Sequence, residues 1–202
     1  MLVLCSDGLS GKSLLNGVRR QTRDCKTAAL VVTADPVYKE KNYHVPRCRK
    51  ELEALGLGVD VFDLDTQPAE TLLEYNVVEF IGGNPYYLLN SIRAHDASDV
   101  LKWLAENRML IGWSAADFVF GPTLELVDMY SPEMNFLGLT DLKGLGLTDV
   151  EVLPHYRKFL NKFAGFEEKC RDYEHLHGKD VIRLNDGDGV LIEADKVFLF
   201  QD

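Results

Sequence analysis

The stretch Met109-Leu110-Ile111-Gly112-Trp113-Ser114-Ala115-Ala116-Asp117 decides how the chain folds. Its first five residues are apolar with no polar alternation, the pattern of a strand buried on both faces. Ser114 and the residues after it mark a strand-to-helix turn. A strand of this kind needs helices above and below it, and the N-terminal half repeats the arrangement. Val3 to Cys5, Ala28 to Thr33, Val59 to Phe62 and Val77 to Ile81 are further short runs rich in Val, Ile and Leu with little polar alternation. Between them Ser13 to Gln21, Val45 to Leu55, Pro68 to Tyr75 and Pro85 to Asn107 carry apolar residues at helical spacing, and His95-Asp96 divides the last into two helices.

This alternation predicts an α/β fold in three layers, a mostly parallel sheet with helices on both faces. Such sheets put their chemistry at the carboxyl ends of the strands. Beyond Ser114 the pattern loosens into a glycine-rich loop, Gly138 to Leu147, then a strand, Val150 to Leu153, and a helix, Arg157 to Glu174. Val181 to Leu184, Val190 to Glu193 and Val197 to Phe200 read as strands joined by tight turns, which predicts antiparallel strands near the C-terminus. With 202 residues, 46% of them hydrophobic, a single domain over residues 1–202 can bury its own core.

The balance of 22 basic against 32 acidic residues, a net charge of −10, argues against a nucleic-acid partner. No segment reaches the roughly 18 unbroken apolar residues of a membrane helix, and Met1-Leu2-Val3-Leu4-Cys5-Ser6-Asp7 lacks the basic lead of a signal peptide. The expectation is a soluble cytoplasmic protein with no membrane partner. Cys5, Cys25, Cys48 and Cys170 show no C-x-x-C spacing, so they are expected to be reduced thiols and not zinc ligands.

Several motifs have plain structural readings. Gly8-Leu9-Ser10-Gly11-Lys12-Ser13 lies where a phosphate loop would, but a P-loop needs glycine at position 6, which is Ser6. Asp60, Asp63 and Asp65, the pair His175 and His177, and the run Asp186-Gly187-Asp188-Gly189 lack companions at metal-ligand spacing. They read as solvated groups and turns, with no metal site among them.

Gly82-Gly83-Asn84-Pro85 follows an apolar strand and opens a helix, where two glycines leave backbone N–H groups open to a ligand. Ser114 ends the next strand. A serine hydroxyl needs a base to take its proton and a carboxylate to orient that base. Of the five histidines, His155 in Leu153-Pro154-His155-Tyr156 sits at a strand's carboxyl end. Asp128 is the candidate acid, with Glu125 a nearby competitor. The bland alternative is an ordinary turn at Ser114, since G-x-S-x-G would require glycine where Ala116 stands.

Taken in order, Gly82-Gly83-Asn84, Ile111-Gly112-Trp113-Ser114-Ala115, Pro122-Thr123, Asp128-Met129 and Leu153-Pro154-His155-Tyr156 resemble the peptidase E (aspartyl dipeptidase) family. That family is related to cyanophycinase, and the resemblance implies a flavodoxin-like fold similar to class I glutamine amidotransferases. It further implies Ser114 as nucleophile, His155 as general base, Asp128 as acid, and the N–H groups of Gly83 and Ala115 as oxyanion hole. No metal or organic cofactor follows from it. For the substrate, Asn84, Lys169 and Arg171 are the implied contacts. The family's arginine aligns closest to Glu168, so a short peptide or amide other than a strict Asp-X dipeptide is expected.

Two readings stand on the sequence: a serine peptidase of short peptides, and a catalytically inactive relative that binds a small ligand or a partner at the same strand ends. The apolar Val197-Phe198-Leu199-Phe200 could close the sheet or pair with a second subunit as a homodimer.

Overall fold

The computed structural model describes residues 1–194 and 196–202. Five strands run parallel in the central sheet: β1 (Leu2–Cys5), β2 (Thr27–Val31), β3 (Gly58–Phe62), β4 (Val77–Phe80) and β5 (Met109–Trp113). Two antiparallel strands, β8 (Gly189–Glu193) and β9 (Lys196–Phe200), extend it beyond β1, giving the order β3-β2-β4-β5-β1-β8-β9. A separate pair, β6 (Glu151–Leu153) and β7 (Val181–Arg183), is parallel. Every residue of β1, β4 and β5 is buried, which is why β1 and β5 read as unbroken apolar runs and β4 as one interrupted only by Glu79.

Helices α1 (Lys12–Gln21) and α2 (Val45–Glu53) cover one face, where Leu14, Val18, Cys48 and Leu52 meet Val3, Cys5 and Ile111. The other face carries α3 (Pro85–Ala94), α4 (Ser98–Asn107), α5 (Ala115–Phe120), α6 (Glu125–Tyr130) and α8 (Phe166–His177), packed around Leu4, Phe80 and Leu110. Among the described residues no helix is long and apolar enough to cross a membrane. β9 closes one edge of the sheet through β8, with Val197, Phe198 and Leu199 partly exposed.

Two helical readings change. Pro68 to Tyr75 holds a 3-10 helix over Ala69–Glu74 in place of an α-helix. The expected helix Arg157 to Glu174 is two helices, α7 (Tyr156–Leu160) and α8, separated by a turn in which Gly165 takes φ +63°. That conformation is open to glycine at little cost and interrupts a helix.

The motif around Gly11 is a helix start. The N–H groups of Lys12 and Ser13 donate to the Asp202 carboxylate, with Ser13 N to Oδ1 at 3.1 Å. The amides that would have met a phosphate are thus taken by the Asp202 side chain.

Candidate active site

Three neighbouring strands of the large sheet, β4, β5 and β1, end side by side. They present Gly82-Gly83, Ser114 and Ser6. Ser114 has φ +56° and ψ −103°, a conformation that costs a non-glycine residue on the order of 1–3 kcal/mol and that a nucleophile elbow requires. The surrounding bonds hold it there. Its N–H lies 3.1 Å from Cys5 O and 3.1 Å from Asp117 Oδ2, and Asp117 Oδ1 accepts from Cys5 N at 3.3 Å. The Asp117 carboxyl is buried, and its desolvation pushes its pKa well above the usual range, opposed by these two N–H bonds.

Ala116 fits without displacing the helix because residue 112 has no side chain. A Cβ on Gly112 would lie 3.0 Å from Ala116 Cβ and closer still to the Phe120 ring. Gly82 and Gly83 are required for a similar reason. A Cβ on the first would strike the Trp113 ring, and on the second the carbonyl of Ala34. Among the described residues the Gly83 and Ala115 N–H groups have no acceptor. Gly83, Ala115, Ser114 and His155 line one cavity together.

His155 and its carboxylate partner come from the small sheet, at the ends of β6 and β7. His155 adopts left-handed backbone angles, φ +56° and ψ +29°. Its Nε2 lies 3.1 Å from Ser114 Oγ, and its Nδ1 lies 2.5 Å from Asp186 Oδ1. The tautomer with the proton on Nδ1 satisfies both contacts, leaving the Nε2 lone pair to accept from the serine hydroxyl. Burial would raise the Asp186 pKa, but the hydrogen bond and charge of His155, with the Ser6 hydroxyl, hold it below the usual carboxylate range.

The carboxylate that meets His155 is Asp186 and not the expected Asp128. Asp128 lies on α6, turned toward α3, where its Oδ1 accepts from Tyr86 OH at 2.8 Å. Its competitor Glu125 faces His177, with 2.9 Å between Oε2 and Nε2. The order along the chain is Ser114, His155, Asp186, and Asp186 sits in the Asp-Gly-Asp-Gly turn that the sequence offered only as a turn.

Ser6 also escaped the sequence reading as a site residue. Its Oγ accepts from His155 N at 2.8 Å and donates to Asp186 Oδ1 at 3.0 Å, so it fixes both partners from the end of β1. The residues expected to contact substrate are placed differently from one another. Asn84 caps α3, accepting from Tyr87 N at 2.9 Å and donating to Met134 O at 2.7 Å, although it borders the cavity beside Ser114. Arg171 pairs with Glu167 on α8, and Lys169 lies on the same helix. The cations that line the cavities are Lys158 and Lys162.

Behind Trp113 lies a buried polar group. Glu79 on β4 is fully buried with no hydrogen-bond partner for either oxygen among the described residues, and Trp113 Nε1 is equally unpaired. Glu79, Cys48 and Glu51 offer ligand atoms within 4.8 Å of one another. Glu51, however, already accepts from Arg47 Nη1 at 2.6 Å and Leu9 N at 3.1 Å. The Arg47 guanidinium supplies the positive charge a metal ion would bring, so the cluster is a half-buried ion pair beside a buried acid.

This geometry predicts a modest, measurable role for Asp117. Asp117→Ala removes a buried carboxylate that accepts from both Cys5 N and Ser114 N and is expected to cost about 1–3 kcal/mol of stability, read from urea denaturation. An unchanged unfolding midpoint would remove it from the elbow's support.

Comparison with known proteins decides the family. The model of Peptidase family S51 matches residues 2–200. The chain belongs to peptidase family S51. It is 28% identical over 175 residues to an uncharacterized peptidase of Listeria monocytogenes, covering 78% of this chain and 85% of that protein. A Drosophila melanogaster protein named a probable alpha-aspartyl dipeptidase is 24% identical, over 100% of this chain and 86% of the relative. Among solved structures, a Listeria monocytogenes protein described as a candidate peptidase E superposes with TM-score 0.77 at 22% identity, covering 99% and 97% of the two chains. A peptidase from an acI-B1 actinobacterium gives TM-score 0.75 at 15% identity, covering 100% and 87%. These structures share the S51 chain's fold.

Proposed function

We propose that this S51 peptidase is a serine enzyme that hydrolyses short peptides through an acyl-enzyme on Ser114. The observation that carries the reading is His155, bridging Ser114 Oγ and Asp186 in one hydrogen-bonded line. His155 takes the hydroxyl proton as Ser114 attacks the scissile carbonyl, and Asp186 steadies the imidazolium that forms. The Gly83 and Ala115 N–H groups, free of other acceptors among the described residues, receive the charge that develops on the carbonyl oxygen. His155 then passes its proton to the leaving amine, and water repeats the sequence on the ester.

Short substrates suit the surroundings. Cavities of about 500 and 230 Å³ meet at Ser114, and one relative is named a probable alpha-aspartyl dipeptidase. Buried unpaired thiols at Cys5, Cys48 and Cys170 suit a reducing, cytoplasmic setting. A fluorophosphonate probe tests the reading: it is expected to label the wild-type protein and to leave Ser114→Ala unlabelled. Folded wild-type protein that resists the probe, or equal labelling of Ser114→Ala, would overturn it.

A further inference from the structure

The smaller cavity beside Ser114 has a composition at odds with an acidic substrate. Its wall is made by Phe118, Tyr130, Met134, Phe159 and Phe163, and it reaches Ser114, Ala115 and His155. The rings form one cluster. Tyr130 packs against Phe159 and Phe163 at 5.9 and 5.1 Å, and Phe159 lies 5.3 Å from the His155 ring. Lys158 and Lys162 line the same cavity, but both are exposed. The Lys162 ammonium lies 4.7 Å from the Phe163 ring centre and 5.5 Å from that of Phe159. The positive charge is therefore at the solvent side, laid over aromatic faces, while the interior is apolar.

A short carboxylate side chain pushed among these rings would lose its water without gaining a partner at depth. An aromatic or large aliphatic side chain would bury its surface against them and stack on the existing cluster. We propose that this cavity selects an aromatic or large aliphatic side chain on one of the two residues joined by the scissile bond. The selection rests on the hydrolase reading of the same site, and it names a substrate class different from an N-terminal aspartyl peptide.

The test separates binding from turnover. Equilibrium binding to Ser114→Ala is measured by calorimetry for Phe-Ala, Ala-Phe, Ala-Ala and Asp-Ala. One of the two phenylalanine dipeptides is expected to bind about tenfold or more tightly than Ala-Ala, and Asp-Ala no better than Ala-Ala. Adding Phe163→Ala, which removes one wall of the cavity, is expected to shrink the phenylalanine-to-alanine ratio at least about threefold. Met134→Trp, which fills the cavity from its partly exposed side, should shrink it too, so the outcome does not hang on one variant's folding. Equal affinity for Phe and Ala dipeptides, or tightest binding of Asp-Ala, overturns the assignment. Probe labelling of the wild-type protein tells the two failures apart: labelled protein without the aromatic preference rejects the cavity assignment alone, whereas unlabelled protein rejects the acyl-enzyme.

Discussion

Asp186→Asn is expected to lower kcat/KM on a short peptide about 10³-fold, while Asp128→Asn stays within about threefold of wild type. The reasoning is geometric. An asparagine at 186 can present its NH₂ to Nδ1, which favours the tautomer with the proton on Nε2, and that proton would then face the serine hydroxyl it should receive from. A carboxylate also stabilises the imidazolium, which a neutral amide does not. The effect is set somewhat below that of a deeply buried acid because the Asp186 side chain is 49% exposed and water screens its charge. At 128, asparagine retains an oxygen to accept from Tyr86 OH, away from the proton path. Steady-state kinetics of both variants decides the matter. Wild-type turnover by Asp186→Asn, or a large loss in Asp128→Asn, would restore the carboxylate first expected from the sequence.

The second large effect is on stability and concerns Glu79. Burial first, and then the negative charge of Glu51, push its pKa from the ordinary 4.5 to about 8, against the opposing charge of Arg47. Between those values the unfolded chain releases the proton and the native protein keeps it. The native state then binds more protons, so stability falls as pH rises through this window and levels off above pH 8. The whole change amounts to on the order of 5 kcal/mol. Glu79→Gln removes the ionisation while keeping the shape. It is expected to be more stable than wild type by several kcal/mol at pH 8.5, with that advantage largely gone at pH 4.5. Urea denaturation of both proteins at the two pH values measures it, and a difference independent of pH would reject the ionisation account.

The parts of the site that local sequence could reveal share one property: each lies where a strand ends. Ser114, Gly82-Gly83 and His155 follow apolar runs whose period shows that they are buried strands, and parallel sheets gather such ends at one edge. The Gly112 and Ala116 pair was also written in the sequence, but its meaning required knowing that the two positions touch. Asp186 carried the opposite signal. Asp-Gly-Asp-Gly is good turn chemistry, and nothing in its spacing distinguishes an exposed turn from one brought back to a histidine 31 residues earlier.

The sequence by itself determined the alternation of strand and helix, the buried parallel sheet and the strand ends bearing Ser114 and His155, because these depend on periodicity and nearest neighbours. Only the tertiary structure placed Asp186 against His155, Ser6 between them, and Lys158 and Lys162 in the cavity lining. The parallel pairing of β6 with β7 carries Asp186 to His155, and the break at Gly165 changes the direction of the chain that follows it. Both are long-range consequences of packing, where several remote segments must agree on one geometry before any of them acquires its role.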